Sequence, residues 1–228
     1  MKTYLVSSGW FLLVAVISVG VLLPFDGAIS QFGRGLPDWI VGVNTDITDF
    51  GTFSWMIYGS ALLTLMAYLT HELSDSSRLK VQAKALTKIA FYFFLTTGLA
   101  TIVVHGLKIP IGRARPDLYS EYGPYYFLPF VGDWLFESFP SGHSTAVGAF
   151  FGAFAMLFPR YRWGCAVLAL IFGISRIIVG AHYPSDVAAG LTLGAWSAMT
   201  MAFILAQRLF LFVPDLNGWP VRHPLVSS

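Results

Sequence analysis

Charged side chains are scarce in this sequence. They make up 11% of its 228 residues, against roughly 25% in soluble globular domains, which is too little to cover a surface facing water. Cysteine occurs once, at Cys165, so an internal disulfide is excluded and the redox compartment cannot be read from cysteine usage. The chain has no internal repeat, no low-complexity tract and no block of like charge, and its formal net charge is only +2. Nucleic acid is therefore not expected as a partner. HExxH, paired cysteines and Asp-rich runs are missing too. The sequence offers no metal cage, and neither metal nor cofactor is expected.

What fills the chain is apolar. Hydrophobic residues are 56% of it, and the mean hydropathy is +0.67. Six windows are long enough to cross about 30 Å of hydrocarbon. They are Thr3 to Phe25, Phe50 to Thr70, Ile89 to Leu107, Ser138 to Pro159, Trp163 to Ala181 and Val187 to Gln207. These runs are continuous rather than alternating, which favours helices over a barrel. The expected fold class is all-α, a polytopic bundle of six transmembrane helices forming one membrane-embedded domain over residues 1–228. Lys2 before the first window resembles the start of a secretory signal. The window is longer than a usual signal core and no small-x-small site follows, so the helix is expected to be retained.

Basic residues set the orientation. With the N-terminus cytoplasmic, the inner side holds Lys2, Arg78, Lys80, Lys84, Lys88, Arg160, Arg162, Arg208 and Arg222. The outer side then holds Arg34, Lys108, Arg113, Arg115 and Arg176. The bias favours this arrangement, with both termini inside. Four of the five outer cations lie between Lys108 and Arg176, on the same face as His143, His182 and Asp186, and that concentration points to an anion site. Residues 105–138 form a connection long enough to be functional. It carries Tyr119, Tyr122, Tyr125, Tyr126, Phe127, Trp134 and Phe136, which read either as an interfacial aromatic belt or as a lid over the site. Gly148/Gly152 and Gly190/Gly194 read as helix-packing contacts, and Asp46 and Asp49 as caps of the second span.

Three short segments carry chemistry. In Lys108-Ile-Pro-Ile-Gly-Arg-Ala-Arg115-Pro116, Pro110 and Gly112 are expected to break the third span and leave two cations on a shaped loop. In Pro140-Ser141-Gly142-His143, Ser141 is a candidate N-cap, and a helix start with free amides is a natural phosphate seat. In Ser175-Arg176-Ile-Ile-Val-Gly-Ala-His182-Tyr-Pro184-Ser-Asp186, Arg176 lies inside an apolar run and needs an anionic partner or a polar cavity. Pro184 suits the first turn of the sixth span. Asp186 then sits one turn beyond His182, able to fix its tautomer and leave the other nitrogen as nucleophile; a structural Arg176–Asp186 ion pair is the plainer alternative. Three cations, one helix start, two histidines and one carboxylate on one membrane face are the inventory for phosphoryl transfer.

Lys-x6-Arg-Pro, Pro-Ser-Gly-His and Ser-Arg-x5-His-x3-Asp, in this order, resemble the tripartite signature of the type 2 phosphatidic acid phosphatase (lipid phosphate phosphatase) superfamily. The match covers Lys108, Arg115, Pro116, Pro140, Ser141, Gly142, His143, Ser175, Arg176, His182 and Asp186 without substitution. The resemblance implies that His182 attacks phosphorus, Asp186 orients it, and His143 protonates the leaving lipid oxygen and then activates water. It also implies that Lys108, Arg115 and Arg176 clamp the phosphate with Ser141 and the Gly142 amide. Arg113 is not a motif position and is expected to touch lipid head groups at most; His71 and His105 are given no role. The substrates implied are lipid A phosphates, undecaprenyl pyrophosphate, phosphatidylglycerophosphate or phosphatidate. The site would face the periplasm from a bacterial inner membrane. A lipid phosphotransferase using the same phosphohistidine is the second reading. An anionic-lipid transporter is remote, because the helix breakers sit at span ends rather than near the midplane.

Overall fold

The computed structural model describes residues 1–223. Helix α1 (Lys2–Leu22) runs through a tight turn at Leu23–Phe25 into α2 (Asp26–Arg34). Next come α3 (Asp38–Asp49), α4 (Phe53–Leu73), α5 (Ser77–Ile111), the single turn α6 (Tyr119–Tyr122), α7 (Gly142–Leu157), α8 (Arg162–Ile178) and α9 (Pro184–Gln207). Five of the six expected apolar windows fall on long helices. Five stretches are long and apolar enough to cross a membrane: residues 2–34, 38–73, 77–111, 159–178 and 184–207. The fourth window is the exception. Ser141 caps α7, so the helix starts at Gly142 rather than Ser138 and has 16 residues, about 24 Å at 1.5 Å each and short of a full crossing.

Other expectations also change. Pro110 does not end the third span: α5 continues to Ile111 and closes on Gly112 in the left-handed region, φ 61°. Proline in a last turn removes only one amide, and the carbonyl of Ile109, left open where the helix ends, accepts from the Phe130 amide at 2.9 Å. Lys108 is thus helical, not on a loop. Asp46 and Asp49 do not cap the second span either. They end α3, and α4 starts after Thr52 with no side-chain cap. The all-α expectation omitted a small antiparallel hairpin, Phe212–Pro214 against Pro220–Arg222. Asp215 shapes its turn by accepting from the amides of Asn217 and Trp219, both at 2.8 Å, the usual aspartate turn chemistry.

Helix α9 is the axis of the bundle, with 56% of its apolar window buried against none for α1. Small residues make this possible. A Cβ at Gly194 would overlap the Thr145 carbonyl and the Ala149 amide of α7, and one at Gly148 would overlap the Leu191 carbonyl of α9. The small-xxx-small pairs therefore mark a backbone-to-backbone crossing of α7 on α9. Beside it, Met56, Ala146, Val147 and Ala169 form one packed cluster. Towards the far end, Tyr92, Ala153, Leu157, Ala198 and Phe212 belong to another, where the Tyr92 hydroxyl donates to the Ala198 carbonyl at 2.9 Å. Helix α1 lies along α9, with Trp196 Nε1 donating to Ser8 Oγ at 3.2 Å.

Candidate active site

The α7–α9 crossing brings the second and third motifs together at one end of the bundle. The Ser141 amide donates to the Asp186 carbonyl at 3.0 Å. Ser141 is the N-cap its sequence implies, accepting from the Ser144 amide at 3.4 Å. His143 stands in the first turn, among the amides that a helix start leaves without intrahelical acceptors. Lys108 lies in the last turn of α5, is 4% exposed and donates to the Glu137 carbonyl. Its stem passes Gly142, which sets its charge beside the start of α7.

Arg115 follows on an extended segment that the aromatic connection clasps by its backbone. Leu128 donates to the Gly112 carbonyl at 2.7 Å, Ala114 to Tyr126 at 3.0 Å and Arg115 to Leu135 at 2.8 Å. The Arg115 guanidinium lies 5.0 Å over the Trp134 ring and donates to the Trp134 carbonyl at 3.0 Å. Arg176 reaches the same region from the last turn of α8. Its Nη1 donates to Thr48 Oγ1 of α3 at 2.9 Å, and its buried Nε has no acceptor.

His182 occupies the short link between α8 and α9, after Gly180 at φ 72°, and is 2% exposed. Its Nδ1 is 3.6 Å from Asp186 Oδ2 and 3.5 Å from Ser138 Oγ. The first distance is beyond hydrogen-bond reach, as is common before substrate tightens a site. Burial pushes the His182 pKa down to about 3; Asp186 opposes that shift, while Arg115 and Lys108 add to it. The ring is neutral with a free lone pair at ordinary pH. Asp186 is fully buried. Its Oδ2 accepts from Ser138 Oγ at 2.6 Å and the Tyr183 amide at 3.0 Å.

The cation paired with Asp186 is Arg113, not Arg176. Arg113 Nη1 meets Asp186 Oδ1 at 2.5 Å and Nη2 meets Asp26 Oδ2 at 2.7 Å. Arg113 is 1% exposed, which overturns the head-group role expected for it. Burial disfavours its charge, but Asp186 and Asp26 outweigh burial and hold its pKa above the usual arginine value. Asp26, Thr48, Ser138 and Ser185 were not singled out from sequence. The available sign was that Asp26 is the first acid of the chain and follows the first span. His105 is exposed on α5, and His71 Nδ1 lies 2.9 Å from the Lys80 carbonyl, away from the site.

An apolar groove of about 480 Å³ runs along α1, α5 and α9 up to this end of the bundle. Phe11, Val16, Leu107, Pro140, Ala189 and Leu193 line it. Leu107 precedes Lys108, and Pro140 precedes the cap of α7. Among the described residues, no group of three or more His, Cys, Asp or Glu could hold a metal ion.

Residues 89–210 match the profile described as the PAP2 superfamily, more than half of the chain and all three motifs. The chain belongs to the PAP2 superfamily. It is 47% identical over 207 residues to a lipid A 1-phosphatase of Rhizobium johnstonii, covering 91% of this chain and 84% of that one. It is 41% identical over 215 residues to a lipid A 1-phosphatase of Rhizobium etli, covering 94% and 91%. A solved PAP2-type phosphatidylglycerolphosphate phosphatase from Bacillus subtilis shares the fold, with TM-score 0.61 at 24% identity, over 91% of this chain and 98% of that one. As a PAP2 member with these relatives, the chain is a multi-pass membrane lipid phosphatase. Asp26 and Thr48 lie before the stretch that matches the profile.

Proposed function

We propose that this PAP2 chain is a single membrane-embedded domain that removes a lipid A phosphate, the 1-phosphate first, through a phosphohistidine on His182. The observation that carries the reading is the buried Arg176 Nε that lacks an acceptor, at the end of the bundle where Lys108 lies against Gly142 and the Ser141 amide meets the Asp186 carbonyl. A phosphoryl oxygen would satisfy that Nε. The similarity to two lipid A 1-phosphatases favours lipid A over the other lipid phosphates.

In the first step His182 Nε2 forms a bond to phosphorus, and the bond from phosphorus to the lipid oxygen breaks. His143, protonated once the bound phosphate offsets the charge of the three cations, gives that oxygen its proton. Lys108, Arg115, Arg176, Ser141 and the Gly142 amide hold the equatorial oxygens, whose charge grows in the transition state. In the second step His143 takes a proton from water, the water oxygen bonds to phosphorus, and the bond to His182 breaks to release inorganic phosphate. Three cations neutralise the phosphate, so this path calls for no metal. The positive-inside bias supports an inner-membrane placement with both termini cytoplasmic and the site facing the periplasm.

The test is phosphate release by purified protein in detergent from lipid A, undecaprenyl pyrophosphate and phosphatidylglycerophosphate, with EDTA present. EDTA-resistant release, fastest from lipid A and lost in His182→Ala, is the expected result. Release that survives in His182→Ala would refute the nucleophile. Phosphate appearing only on an added lipid acceptor would make the chain a phosphotransferase.

A further inference from the structure

Arg113 and Asp26 lie outside the motif positions, yet they form the most enclosed charge cluster at the site. Asp26, Arg113 and Asp186 are each at most 1% exposed. A buried cation between two buried carboxylates is an expensive arrangement unless every donor and acceptor is used. Here the groups interlock. Arg113 Nη1 also donates to Ser185 Oγ at 2.7 Å, and Nη2 donates to the Pro124 carbonyl at 2.8 Å. Asp26 Oδ1 accepts from the Ser185 amide at 2.9 Å, and its Oδ2 accepts from the Ser185 hydroxyl. The Tyr183 ring covers the guanidinium, 4.5 Å from its centroid.

We propose that Arg113 and Asp26 are positioning residues for the histidine–aspartate pair. Arg113 fixes Asp186 by Oδ1 and so turns Oδ2 towards His182 Nδ1, while Asp26 keeps the cluster one negative charge in excess. The formal count shows why both are needed. Asp26, Arg113, Asp186 and neutral His182 sum to −1. When His182 Nε2 bonds to phosphorus and the lipid oxygen departs, Nδ1 keeps its proton and the ring gains a positive charge. The cluster then sums to zero. Without Asp26 the pair Arg113–Asp186 would already be neutral, and the ring would gain its charge beside no net countercharge. In a site closed to water, such preorganised charge contributes to the transition state rather than to binding.

This inference rests on His182 as nucleophile, so His182→Ala belongs in the same assay. The decisive variant is Asp26→Asn, which keeps the shape and removes the charge; Asp26→Glu restores the charge, and Arg113→Lys keeps a cation but loses the fork to two carboxylates. For Asp26→Asn and Arg113→Lys, kcat should fall about tenfold to a hundredfold, by analogy with the loss of the hydrogen-bond partner that orients a metal-binding histidine. KM for the lipid and the inhibition constant of inorganic phosphate should stay within about twofold, because the clamp is untouched. Asp26→Glu should recover part of the lost kcat. If Asp26→Asn does not fold, Arg113→Lys carries the same split between kcat and KM. Unchanged kcat with a lowered melting temperature would reduce the cluster to a structural cap of α9. A raised KM or phosphate inhibition constant at constant kcat would return Arg113 to substrate binding. Activity surviving in His182→Ala would instead remove the nucleophile on which the inference stands.

Discussion

The backbone amide of Ser141 donates to the carbonyl of Asp186 at 3.0 Å, so the start of α7 is tied to the start of α9. His143 and His182 therefore hold their relative places through backbone as well as side chains. The crossing beneath them has no slack: Gly190, Gly194 and Gly148 each meet the opposing backbone.

Gly194→Val should accordingly loosen both motifs at once. Its side chain has nowhere to go at Thr145 and Ala149, and overpacking of this kind costs roughly 1–3 kcal/mol. The expected outcome is a lower melting temperature in detergent together with reduced phosphate release. Gly164→Val serves as control, because a Cβ there meets nothing within 4 Å. Equal melting of the two variants would show that the crossing tolerates a wider spacing.

Arg176→Lys keeps the charge but replaces two differently aimed N–H groups with one ammonium. Nη1 is engaged by Thr48, which leaves Nε free for the phosphate. Losing a hydrogen bond to a charged group is worth about 1.5–3 kcal/mol, or roughly tenfold to a hundredfold in binding. The inhibition constant of inorganic phosphate should rise by that factor in Arg176→Lys and by less in Thr48→Val, where the guanidinium remains. Unaltered phosphate inhibition in Arg176→Lys would place Arg176 outside the clamp.

Most of the frame was legible in the sequence because lipid demands long apolar helices and the motifs are local. His182, in the link, and Pro184 and Asp186, in the first turn of α9, are close in sequence, so their spacing already brings them together. Five of the six windows likewise locate helices long enough to cross a membrane, while the fourth locates the shorter α7. What was not legible depends on distant pairing. Arg113 and Asp26 are 87 positions apart, and nothing local distinguishes an arginine that meets two buried carboxylates from one that touches head groups. Pro110 misled because a proline usually ends a helix, whereas here the αL cap at Gly112 comes two residues later. The aromatic connection showed its length but not its clasp on Arg115, which is made by backbone groups that carry no sequence signal.

His182 also gives stability a pH dependence. Its unfolded pKa is near 6.5, and burial chiefly pushes the folded value down to about 3. Below pH 6.5 the unfolded chain binds a proton that the folded chain does not. This contribution is complete above pH 6.5 and is lost progressively as pH falls towards 3. The melting temperature of the wild-type protein should therefore fall more between pH 7 and pH 4 than that of His182→Gln, which has no proton to bind. Parallel curves for the two proteins would mean that His182 is protonated while folded.

In the proposed reaction the groove between α1, α5 and α9 would guide a chain of the lipid substrate, since Leu107 and Pro140 in its lining adjoin Lys108 and Ser141 of the proposed phosphate clamp. Its contribution is not hydrophobic affinity, because a chain leaving bilayer for groove exchanges one apolar setting for another. What it offers is orientation: a chain held along α9 limits how the phosphate meets His182, and misplacement by about 1 Å can cost a hundredfold in rate. Leu193→Trp narrows the groove away from the motifs. For this variant, kcat/KM with a long-chain lipid phosphate should fall about tenfold, while a short soluble phosphate monoester should be hydrolysed as before. Equal losses on both substrates would mean that the tryptophan disturbs the site itself. No loss on either would show that the chain lies outside the groove, with the substrate held by its head group alone.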